Sequence, residues 1–91
     1  MEAAKDVPTV DDGKSQLNVS EYTEAIDTFT QILAVHPQDC LSYRMRGNAY
    51  DHLGDRQKAI ENWTQAAKLG DTIIQSYLDF LKVKWREYPA P

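Results

Sequence analysis

The eight residues from Glu24 to Gln31 return, altered but recognisable, as Lys58 to Gln65, 34 residues further along the chain. Ala25, Ile26, Thr30 and Gln31 reappear as Ala59, Ile60, Thr64 and Gln65, and Phe29 is answered by a second aromatic, Trp63. Apolar helices often look alike by chance, but here a polar threonine and a glutamine are repeated as well. A fixed period of this length marks stacked helix pairs, each burying its apolar face on its neighbour.

The periodicity of the segments agrees. Tyr22, Ala25, Ile26, Phe29, Ile32 and Leu33 fall at helical spacing and form one stripe. Ser20 is placed to cap that helix, and Pro37 ends it, having no N–H to donate and biasing His36 away from helical geometry. A second helix is expected after Asp39, running to Leu53 before Gly54. A third follows Asp55, with Ala59, Ile60, Trp63, Ala66 and Ala67 on one face, and closes at Gly70. A fourth follows Asp71, with Ile74, Tyr77, Leu78, Leu81 and Trp85 inward. The expected helices are therefore about 20–35, 40–53, 56–69 and 72–86, joined by turns short enough to force antiparallel packing. Residues 1–18 read as a flexible tail. Pro8, Asp11-Asp12-Gly13 and Asn18 interrupt the helical pattern, and only Val7, Val10 and Leu17 offer burial. Residues 89–91 read as a second, short tail.

From about Cys40 to Ile73 the chain carries Tyr43, Gly47, Tyr50, Gly54-Asp55, Ala59, Trp63 and Ala66, and by these residues it resembles the tetratricopeptide repeat family. Ala25, Phe29 and Pro37 match a preceding half unit, the second helix alone. The resemblance implies an all-α fold, an antiparallel helix-turn-helix repeat forming a short right-handed α-solenoid, with the fourth helix as a cap. The residues support a physical reading of their own. Gly47 and Ala59 are small where two helices approach closely, and Tyr43, Tyr50 and Trp63 fill the space around that contact. Arg46 departs from the pattern, standing where the family has an apolar residue, with its stem free to lie along Tyr43 or Tyr50. One and a half units and a cap fall short of the roughly three that such stacks need. Two resolutions are open, an unusually well packed monomer or self-association, and the exposed Tyr22–Leu33 stripe favours the second.

The resemblance further implies a concave groove that receives a peptide or a partner helix. Mapped onto the full unit, its residues are Leu41, Arg44, Met45, Asn48, Asp51 and His52. Arg44 and Asn48 resemble the basic-plus-asparagine pair by which clamp-type members of the family hold a carboxylate. The expected function is a non-enzymatic adaptor or scaffold module that binds protein. The alternative is an assembly protein that docks, or pairs with itself, through apolar helix faces, among which Phe80, Ile73 and Trp85 are candidates.

Other classes find little support. A net charge of −4 opposes a phosphate backbone, and no basic face is visible. His36, Cys40 and His52 lack any paired metal-ligand spacing, and no nucleophile elbow, phosphate-cradling glycine loop or HExxH occurs. No enzyme activity, metal or cofactor is expected. One cysteine cannot build an intramolecular disulfide, and no apolar run is long enough for a bilayer, so a cytoplasmic protein without membrane insertion is the expectation.

Overall fold

The computed structural model describes residues 7–89. It contains five α-helices: α1 (Val10–Asn18), α2 (Tyr22–Val35), α3 (Cys40–His52), α4 (Arg56–Lys68) and α5 (Thr72–Phe80). A short 3-10 turn, Trp85–Glu87, follows. Each helix packs on the next, and α1 also touches α3, so the chain is an all-α helical repeat. Among the described residues there is no strand. The expected tails extend beyond these residues at 1–6 and 90–91.

The main correction lies at the N-terminus. Residues 10–18, expected as flexible tail, form a helix that completes the first unit. Its start is well specified. Thr9 accepts from the Asp12 backbone N–H at 3.3 Å while the Asp12 carboxylate accepts from the Thr9 N–H at 2.8 Å, a reciprocal cap. Asp11 and Asp12 also lie in the first turn, where the helix dipole favours negative charge. Gly13, 34 residues before Gly47, carries the reason this helix is needed. A Cβ on Gly13 would come within 2.4 Å of the Phe29 ring, as one on Gly47 would come within 2.5 Å of the Trp63 ring. Both units therefore use the same device, an aromatic of the second helix pressed onto a glycine of the first.

The core is layered in the same way. Ala25, Phe29, Ile32 and Ala49 form one buried cluster, flanked by Val10, Leu17, Tyr22, Ile26 and Met45. Ala59, Trp63, Ala66, Ala67, Ile74, Leu78 and Trp85 form the other, flanked by Tyr43, Tyr50 and Cys40 among others. The Tyr22–Leu33 stripe is consequently not open. Val10 and Leu17 of α1 cover it from one side and α3 packs on the other, which removes the reason for expecting self-association there. A hydrogen bond from the Thr28 hydroxyl to Gln16 Oε1, 2.7 Å, ties α1 to α2.

Four helices end alike. The residues at 20, 54, 70 and 82 adopt left-handed φ, and the residue after each donates its N–H to a carbonyl five positions back. Two of these positions are Gly54 and Gly70, which tolerate that geometry. The others are Ser20 (φ 65°) and Lys82 (φ 61°). Ser20 was the expected cap of α2; instead it closes α1, and α2 starts at Tyr22 after Glu21 with no side-chain cap. Because a left-handed L-residue costs about 1–2 kcal/mol, Ser20→Gly is expected to stabilise the fold by roughly 0.5–1 kcal/mol, after the entropic cost of glycine is deducted. The urea midpoint should rise; a fall would mean that the Ser20 hydroxyl, 3.3 Å from the Tyr22 hydroxyl, matters more than its backbone.

The end of the chain is the second correction. The fourth expected helix was to run to residue 86, but α5 stops at Phe80 and the chain reverses through Lys82. This reversal brings Trp85 back into the core, 6% exposed, with its indole N–H donating to Asp79 Oδ1 at 2.9 Å. The Trp85 turn lies on α4. Gln65 donates to the Pro89 carbonyl at 3.4 Å, and the Lys68 ammonium donates to the Tyr88 carbonyl. Residues 83–89 thus pack back beside α4.

Candidate functional site

Because α1 and α3 are the first helices of successive units, they run side by side and leave a cleft between them. Lys14, Leu17 and Asn18 of α1 face Met45, Asn48 and His52 of α3 around a volume of ≈ 280 Å³. The cleft offers an ammonium, two amides and an imidazole over a floor of leucine and methionine, and no carboxylate lines it. Such a lining suits carbonyl or carboxylate oxygens of an incoming chain.

The six residues expected to line a groove divide into two sets. Met45, Asn48 and His52 lie in the cleft. His52 is held there by its ring, stacked on Tyr22 with centroids 4.6 Å apart and planes 2° from parallel. Asn48 is fixed by a neighbour in the core: its Oδ1 accepts from the Trp63 indole N–H at 3.0 Å, while its amide NH2 donates weakly to Met45 Sδ at 4.0 Å and keeps a second N–H for a ligand. Arg44 is committed elsewhere. Its Nε lies 3.3 Å from Asp71 Oδ2, and Asp71, 9% exposed, also accepts from the Ile74 N–H to cap α5. Arg44 therefore neutralises a buried cap instead of presenting an open charge, and the Arg44–Asn48 pair is not assembled as a joint clamp. Asp51 pairs with Arg56 at 3.1 Å, and half-buried Leu41 lies outside the cleft.

The packing residues sit as follows. Ala25, Phe29, Ala59 and Ala66 are fully buried, Trp63 is 3% exposed, Gly47 is buried, and Tyr43 and Tyr50 lie half-buried against the second cluster. Lys14, Leu17 and Asn18 were not among the expected groove residues, since they fall in the segment that reads as tail. The signal for a helix there is Gly13, 34 positions before Gly47, which local helix rules count instead as a breaker. Among the described residues no cluster of three or more His, Cys, Asp or Glu is arranged to hold a metal, and no helix is long and apolar enough to cross a membrane.

A stack of antiparallel helix pairs, with an aromatic-on-glycine contact inside each pair and a cleft between first helices, defines a helical-repeat binding fold. The family model of the tetratricopeptide repeat matches residues 40–72, and that segment is a tetratricopeptide repeat, a type that points to protein–protein interaction. The chain is also 30% identical over 66 residues to the Protein CTR9 homolog of Arabidopsis thaliana, an alignment that covers 72% of this chain. It spans only 6% of that relative's length. No solved structure gives a significant match.

Proposed function

We propose that this chain is a non-enzymatic interaction module that grips a peptide or helix of a partner protein in the cleft between α1 and α3. The observation that carries the reading is the convergence of Lys14, Asn18, Asn48 and His52, with no opposing carboxylate, over Leu17 and Met45. Apolar floor and polar rim together are the usual composition of a recognition groove. The partner segment is expected to bring acceptor oxygens, from main-chain carbonyls or acidic side chains.

A partner captured by the wild type should be lost by Lys14→Glu/His52→Glu, both exposed positions whose change leaves the core intact. Raising the salt should weaken the same complex, because the Lys14 contribution is screened. Retention of the partner by the double variant would sink the groove assignment.

A second reading, docking in a fixed assembly through an apolar helix face, draws on α5, where Ile73 and Phe80 are 68% and 79% exposed one face apart from the buried Ile74 and Leu78. Capture that survives the groove double variant and high salt, yet fails with Phe80→Glu, would favour that reading.

A further inference from the structure

On the face of α3 opposite the groove, the structure holds a second cleft of ≈ 390 Å³ between α3, α4 and the C-terminal segment. Its lining is Tyr43 and Arg46 from α3, Glu61, Asn62 and Gln65 from α4, and Tyr88 with Pro89. Arg46 is the unusual member. It stands at the unit position where the repeat pattern expects an apolar side chain, and it is half-buried. Its Nε donates to Asn62 Oδ1 at 2.6 Å, one terminal nitrogen donates to the Thr30 hydroxyl at 3.1 Å, and the guanidinium lies 5.5 Å from the Tyr43 ring centroid. Asn62 is in turn anchored, its amide donating to the Lys58 carbonyl at 2.8 Å. Among the described residues no carboxylate lies within ion-pair distance of this guanidinium; the pairs present are Arg44–Asp71 and Arg56–Asp51.

Burial lowers the pKa of Arg46 from the ordinary guanidinium value, with Tyr50 and Tyr43 offsetting part of that. It remains a cation nonetheless, since arginine does not deprotonate in proteins. A guanidinium has five N–H groups, and the two hydrogen bonds to neutral partners leave three of them, enough for a two-point contact with a carboxylate. A half-buried cation held in one orientation by uncharged acceptors is prepared for an anion that none of the described residues supplies.

We propose that the Arg46 cleft is a second binding site, independent of the α1–α3 groove, that takes a carboxylate side chain of a partner peptide. Arg46 holds the carboxylate, the amides of Asn62 and Gln65 stand beside it, and Tyr43, Tyr88 and Pro89 pack against the apolar part of the same peptide. Glu61, exposed at the rim, repels the ligand and thereby limits its affinity.

The test follows the Arg46 Nε–Hε signal and the Tyr43 and Tyr88 ring signals by NMR during titration with the blocked dipeptide acetyl-Glu-Pro-amide, its acetyl-Gln-Pro-amide analogue and inorganic phosphate. The glutamate peptide should shift these signals saturably, and the glutamine analogue should bind about tenfold more weakly or worse. Arg46→Leu restores the apolar residue of the repeat pattern, so it should stay folded while losing the binding. Glu61→Gln should bind the glutamate peptide more tightly, and Lys14→Glu should bind it as the wild type does. Equal binding of the two peptides, or unchanged binding in Arg46→Leu, would overturn the site. Loss of the peptide in Lys14→Glu would assign it to the groove, and tighter binding of phosphate than of the glutamate peptide would overturn the carboxylate assignment.

Discussion

Trp63→Ala is expected to remove most of the stability of this domain. The side chain is 3% exposed, and its ring fills the space that Gly47 leaves open. It meets Tyr77 edge-on at 5.3 Å and donates its indole N–H to Asn48. Truncating a buried tryptophan typically costs about 3–5 kcal/mol, and small domains have little more than roughly 5 kcal/mol to lose. The same substitution removes the indole N–H that holds the Asn48 carbonyl, so groove binding should weaken even in the fraction that stays folded. Urea denaturation measures the first effect. A loss below about 1 kcal/mol would contradict the packing described for the second unit.

Gly13→Leu carries the second largest effect, and its sign depends on what residues 10–18 are. In a flexible tail the substitution would be nearly neutral, within about 0.5 kcal/mol. In a free helix it would be favourable, because glycine is a poor helix former by about 1 kcal/mol. Here the added Cβ alone meets the Cζ of Phe29 at 2.4 Å, and Phe29 is fully buried and cannot retreat. Overpacking of this kind costs about 1–3 kcal/mol, so the helix-propensity gain is outweighed. Combining Gly13→Leu with Phe29→Ala should recover part of the loss, since the new side chain enters the space the ring vacates. Purely additive losses in that cycle would show that the two residues do not touch.

The reason α1 is hard to read in the sequence is the reason Gly13 is there. Local rules score Pro8, Asp11, Asp12 and Gly13 as helix breakers. Yet Asp11 and Asp12 occupy a first turn where negative charge helps, and Gly13 answers a close contact with Phe29 rather than a turn. A helix of nine residues is not stable alone; tertiary contact with α2 decides, and only the 34-residue spacing from Gly13 to Gly47 carries a trace of it. The second unit is the opposite case. Tyr43, Gly47, Tyr50, Ala59 and Trp63 announce it one residue at a time, because each answers a contact inside one helix pair.

The groove was legible on one wall and not the other. Met45, Asn48 and His52 follow from the register of the full unit, whereas Lys14, Leu17 and Asn18 depend on α1. Arg44 illustrates a different limit: its partner Asp71 is 27 residues away and reads locally as a helix cap, which it also is. The fate of Phe80 and Trp85 turns on Lys82. The left-handed residue between them ends the helix, leaving Phe80 79% exposed and returning Trp85 to the core.

Everything proposed for the groove rests on α1 being docked, and native-state amide hydrogen exchange of residues 13–19 tests this most directly. The account predicts that the amides from Gly13 to Val19, bonded along α1, are protected to nearly the same degree as those of α2, and lose that protection in Gly13→Leu. Exchange of these amides at the rate of an unstructured peptide, with α2 to α5 still protected, would contradict it. The first unit would then be only half built, and the cleft between α1 and α3 would not exist.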